Sequence, residues 1–167
     1  MLKRMFPAFL VAFVFCGLAQ AVDVKELPNP LQHLKVGQWV TYRLLDDVEQ
    51  RQTVMSVTEI DGDTEFVVKY ETLDAAVDIP DMTEKHSVRQ LTEAFLERLE
   101  ESSVVMNRTR VTAGDDEYDV IMVEMTDEED GVLRIYLSER VPITGLVKME
   151  DDDEEDGVIL EILGFGE

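Results

Sequence analysis

The chain has 167 residues, with 37 acids against 15 bases, two His and one Cys, and 45% of its residues are hydrophobic. That balance excludes a collagen-like chain, a disulfide scaffold and a multi-span membrane protein, which need glycine periodicity, many cysteines or long apolar runs. A formal net charge of −22 repels phosphates and anionic head groups, so a nucleic-acid partner is excluded as well.

Residues 1–21 carry the three parts of a secretory signal. Lys3 and Arg4 form the positive end, Met5 to Leu18 the apolar stretch, and Ala19-Gln20-Ala21 a small-residue cleavage site. Cleavage is expected between Ala21 and Val22, leaving 22–167 as one exported domain in the periplasm or outside a bacterial cell. The apolar stretch, broken early by Pro7, falls short of the ~20 residues that cross a bilayer, so the mature chain is expected to have no transmembrane span. Cys16 follows Phe13-Val14-Phe15, which are bulky where a lipoprotein signal wants Leu and small residues; it reads as an apolar residue of the discarded segment. The mature chain then has no thiol, and its stability has to come from a packed core.

Asn29-Pro30 opens a short helical turn that Gly37 ends. From Gln38 the period is two, with Val40, Tyr42 and Leu44 on one face and Trp39, Thr41, Arg43 and Leu45 on the other. A second strand runs from about Arg51 to Ile60, an Asp61-Gly62 turn follows, and a third strand carries Phe66, Val68 and Tyr70 on one face. Between Asp81 and Glu101 the period lengthens to that of a helix. Its stripe is Val88, Leu91, Phe95, Leu96 and Leu99, and Ser87 with Gln90 resembles a capping box. Alternation resumes in Val104 to Thr112, Tyr118 to Met125, Val132 to Leu137, Leu146 to Glu150 and Val158 to Phe165.

These elements predict a mainly β fold, a curled antiparallel sheet or half-open barrel of about eight strands with one amphipathic helix packed on it. Such a sheet can enclose a pocket. Trp39, Tyr42, Phe66, Tyr70, Phe95 and Tyr136 are the candidate lining, and they are equally the material of a filled core. Arg108, Arg110 and Arg134 are candidate contacts for an anionic group at its mouth, or else cross-strand partners of acids such as Glu124.

The run from Tyr136 to Glu150, with its Val141-Pro142, Gly145 and Leu146-Val-Lys148, resembles a pattern in small exported bacterial proteins of unknown function, as does Gly37-Gln-Trp-Val-Thr-Tyr42. In outline the fold also resembles periplasmic lipoprotein carriers, which implies the shielding of an acyl chain. The residues of the motif have a structural reading of their own. Pro142 cannot donate to a ladder and Gly145 permits a tight turn, so the run reads as a link between two strands.

No catalytic constellation is legible. His33 and His86 are far apart, Ser138 lies in no nucleophile elbow, and acids are too many for any pair to be informative. No cofactor or metal is expected. The acidic turns at 61–63, 114–117, 127–131 and 151–157 read as solvated loop tips. The one nearest to a calcium loop, from Asp152, has Leu163 where the bidentate Glu should stand. The leading expectation is therefore a non-enzymatic envelope protein that binds or shields an apolar small molecule or a lipidated protein. The alternative is an acidic interaction protein with a filled core and a cationic protein partner.

Overall fold

The computed structural model describes residues 22–45, 50–62, 64–73, 79–101, 103–127, 131–152 and 157–167. The expected export segment, with Cys16 and Ala21, and most of the acidic runs at 127–131 and 151–157, lie outside the described residues. Two short 3-10 turns, Val24–Glu26 and Pro30–His33, precede β1 (Trp39–Leu45), β2 (Gln50–Asp61), β3 (Glu65–Leu73) and β4 (Met82–Ser87). The helix α1 (Val88–Glu101) leads into β5 (Ser103–Ala113), β6 (Asp116–Asp127), β7 (Gly131–Leu137), β8 (Leu146–Asp151) and β9 (Val158–Gly166).

All nine strands form one sheet in the order β4-β3-β2-β1-β9-β8-β7-β6-β5. Every neighbouring pair is antiparallel, so two meanders are joined along the β1–β9 seam. Nine alternating strands leave the two edges, β4 and β5, pointing the same way. They could not close into an antiparallel barrel, and a parallel link needs a crossover, which α1 supplies. Laid flat, nine strands would set their edges ~38 Å apart. A helix of 14 residues reaches only ~21 Å, so the sheet has to curl to be bridged by it.

The expected architecture is therefore present, an open antiparallel sheet with one helix packed on it. One boundary differs. Residues 82–87, expected within the helix, form strand β4, paired from Met82 opposite Tyr70 to Ser87 opposite Glu65. Of these six residues only Met82 is apolar, so the alternation is silent, and the ladder offered by β3 decides the conformation. The helix starts at Val88, whose N–H is held by the Thr64 carbonyl, with the Ser87 hydroxyl accepting from the Gln90 N–H. Of its stripe, Leu99 is buried and Phe95 and Val88 half-buried, while Leu91 and Leu96 stay exposed.

The core has two parts. The larger gathers Val40, Tyr42, Val57, Phe66, Val68 and Ile162 from β1, β2, β3 and β9, with Leu31 and Leu34 of the N-terminal segment packed on them. The smaller joins Leu99 and Phe95 of α1 to Ile121, Val123, Met125 and Leu137. Strand β6 belongs to both. Tyr118 and Val120 are buried in the first part and Ile121, Val123 and Met125 in the second, so the buried face changes side between residues 120 and 121. The β5–β6 hairpin extends past β7 and reaches the middle of the sheet. The Gly114 N–H donates to the Glu161 carboxylate at 3.0 Å, and a side chain at Gly114 would meet the Ile162 carbonyl.

The link from β7 to β8 is itself core. Val141 and Ile143 are buried, and the Ser138 N–H bonds to the Gly145 carbonyl at 2.8 Å. Ile143 has φ +68°, and the Thr144 N–H donates to the Pro142 carbonyl across it at 2.8 Å. This is a γ-turn of the rare, strained hand, and a β-branched residue there is a backbone outlier. The Tyr42 hydroxyl holds the turn, bonding to the Thr144 hydroxyl and donating to the Leu146 carbonyl at 2.8 Å.

Across the sheet from Tyr42, the indole of Trp39 lies over Gly164 and Gly166 of β9. A Cβ at Gly166 would sit 2.9 Å from the indole nitrogen, closer than carbon and nitrogen can approach. Gly166→Ala is expected to destabilise by about 1–2 kcal/mol through this overpacking. The same change in a Trp39→Val background should cost markedly less, and a urea-unfolding double-mutant cycle measures the difference.

Candidate functional site

The six aromatic residues expected around a pocket do not surround one. Tyr42 and Phe66 are 2% exposed and packed in the larger core. Phe95 packs in the smaller one. Trp39 lies on the opposite face of β1, 37% exposed over its glycines. Tyr136 shares its face of β7 with Arg134, and its hydroxyl donates to Glu150 at 2.6 Å. Tyr70 and Tyr136 pack against the same larger core as Tyr42 and Phe66, and on β3 both Phe66 and Tyr70 meet His86 of β4. The His86 Nε2 lies 2.9 Å from the Tyr70 hydroxyl, and its ring centroid 5.5 Å from that of Phe66. His33 is exposed in the second 3-10 turn, far from this group in the chain. Among the described residues, an open cleft of about 340 Å³ lies between the N-terminal segment and the β2–β3 turn, lined by Leu31, Leu34, Ile60, Glu65, Phe66 and Val88.

The three candidate arginines are each matched to acids. Arg108 bonds to Glu26 at 2.6 Å, Arg110 to Asp119 at 2.9 Å, and Arg134 to Glu124 at 2.7 Å and to Asp152 at 2.6 Å. Arg134 belongs to a larger polar ladder that alternation alone does not reveal, because it depends on strand order. Register sets Tyr136 opposite Lys148, Lys148 opposite Glu161, and Glu161 opposite Arg43, across β7, β8, β9 and β1. Lys148 bonds to Glu150 at 2.6 Å and Arg43 to Glu161 at 2.8 Å. Here the Val-Pro-to-Lys-acid run has a structural use: its turn fills the core and its Lys148 anchors the ladder.

Burial pushes the Tyr136 hydroxyl up to about 12, helped by its bond to the Glu150 carboxylate. For Glu150 burial acts to raise the pKa, but the hydrogen bonds from Lys148 and Tyr136 outweigh it and the carboxyl ends below its ordinary value. A depressed carboxyl stabilises the fold above its unfolded value of 4.5, and that contribution is lost as pH falls. Lys148→Met should therefore remove ~1–2 kcal/mol at neutral pH and flatten the acid limb of the stability curve. Urea titrations of both proteins at a series of pH values check this.

Among the described residues no cluster of three or more His, Cys, Asp or Glu is placed to hold a metal ion, and no helix is long and apolar enough to cross a membrane. Comparison of the chain with protein-family models, with curated proteins and with solved structures found no match.

Proposed function

We propose that the mature chain is a non-enzymatic exported protein that works by binding another protein, with a filled interior and an acidic exterior suited to a cationic partner. The observation that carries this reading is the dispersal of the aromatic residues. Tyr42 and Phe66, which would line a ligand cavity, are fully packed, Phe95 belongs to a separate cluster, and Trp39 lies exposed on the other face of β1. The arginines that would meet an anionic ligand are already matched by carboxylates. Without Lys3 and Arg4 the mature chain would carry −24, a charge that favours encounter with a cationic surface and disfavours an anionic one.

A second reading, a carrier of an apolar ligand or lipidated partner, draws support from the cleft beside Leu31, Leu34 and Phe66. A native mass spectrum of the protein purified without detergent from an exporting host separates the two. The bare mass is expected. An extra mass that vanishes on organic extraction would favour the carrier. Cross-linking in the same host should then join the chain to a protein of net positive charge, with the attachment lost at high salt; a salt-insensitive acidic partner would overturn the proposal.

A further inference from the structure

We propose that residues 22–36 form a strap that lifts off the two core clusters as a unit, turning at Gly37, while the nine strands stay folded. The strap closes the apolar interior when seated and opens it when lifted, whichever partner the protein takes.

The strap has no place in the ladder. Among the described residues its backbone hydrogen bonds are local: the Glu26, Leu27 and Gln32 N–H groups donate to the carbonyls of Asp23, Val24 and Asn29, and the Lys35 carbonyl accepts from Gln38. The first backbone bonds to a strand come at its end. The Gly37 N–H donates to the Val57 carbonyl at 2.9 Å, and the Gln38 carbonyl accepts from the Val57 N–H at 2.9 Å. Exposure changes at the same point, from 60% at Val36 to 8% at Gln38. Gly37 has φ +95° and no atom within 4 Å of where a Cβ would stand, so the chain can turn there without collision.

The grip of the strap is correspondingly light. Neither of its 3-10 turns contains a buried residue. Four half-buried side chains seat it, Val22 and Leu27 against the smaller cluster and Leu31 and Leu34 against the larger. Two ion pairs add to these, Glu26 with Arg108 and Lys35 with Glu167, but every partner keeps at least 45% of its side chain exposed, where such pairs contribute little. The seat is also incomplete, since the 340 Å³ cleft opens beside Leu31 and Leu34, with Phe66 and Val88 across from them. A segment with few buried apolar contacts and no ladder opens at a lower free energy than the whole fold. Because this one runs from one cluster to the other, lifting it uncovers apolar surface of both at once and widens the cleft into them.

Native-state proteolysis of the mature chain tests this. Trypsin has two sites in the strap, after Lys25 and after Lys35. The cut after Lys35 should come first, at a rate nearly independent of urea below the unfolding transition, because local opening exposes little surface. Cuts within strands, after Arg43 or Lys148, should instead speed up steeply with urea. The product should keep the far-ultraviolet circular dichroism of the parent, bind more of the neutral apolar dye Nile red, and release it when a synthetic peptide of residues 22–35 is added. Leu34→Ala should speed the cut after Lys35 by about tenfold without steepening its urea dependence. A cut after Lys35 as urea-dependent as those in the strands, a product that loses its β spectrum, unchanged dye binding, dye that the peptide does not displace, or a Leu34→Ala rate equal to that of the parent would each overturn the proposal.

Discussion

Replacing Phe66 by Ala is expected to lower stability by about 3–5 kcal/mol, enough to leave a protein of this size barely folded at 25 °C. The ring is 2% exposed and contacts both the sheet interior and, through His86, the β4 edge. Its removal leaves a cavity that the neighbouring strands cannot fill, because Val57 and Val68 are fixed by register and are themselves fully buried. Phe95→Ala on the half-exposed helix should cost about half as much, because less of the ring is withdrawn from water. Urea unfolding of the two variants measures both numbers. A Phe66→Ala protein that keeps within about 1 kcal/mol of the parent would mean that the ring serves the cleft it lines more than the core, and would favour the carrier reading over the packed module.

Raising the pH above 10 should unfold the protein. All four tyrosines, Tyr42, Tyr70, Tyr118 and Tyr136, are held above their ordinary value of 10, and burial is the leading cause for each. The unfolded chain gives up these protons first. The stabilisation is complete below pH 10 and drains away as the pH climbs toward the folded values, about 12 for Tyr136 and higher for Tyr42. Tyrosinate absorbance and far-ultraviolet circular dichroism should then change together, in one cooperative step displaced upward from 10. A gradual tyrosine titration centred at 10, with the dichroism unchanged, would show the rings to be solvated.

What could be read from the chain was whatever repeats locally. Val40 with Tyr42, Phe66 with Val68, and Ile121 with Val123 betray their strands because one face of each is apolar. Strand β4 has no such face and is made by its neighbour. Strand β6 reads as one alternating strand, yet Val120 and Ile121 are both buried, since a second layer covers it on each side. The pairing of β1 with β9 has no local signature at all. It decides which charges meet, so Arg43 with Glu161, and the ladder they belong to, could not be placed. For the same reason the candidate pocket dissolved. Which face and which interior each aromatic residue enters depends on strand order, and Trp39 ends exposed over Gly164 and Gly166 while Tyr42 and Phe66 are buried.

The β1–β9 seam also sets when folding can finish. The strands from β1 to β4 and those from β5 to β9 each pair with chain neighbours and can assemble as they emerge. The bond between Trp39 and the Gly164–Gly166 shelf cannot form until the final strand is available. Contacts between such distant residues are slow to form, and until they do, each half shows the other an unpaired hydrophobic flank. Half of the chain made early therefore cannot lock into the finished structure. The central join therefore acts as a latch that closes only once β9 reaches β1.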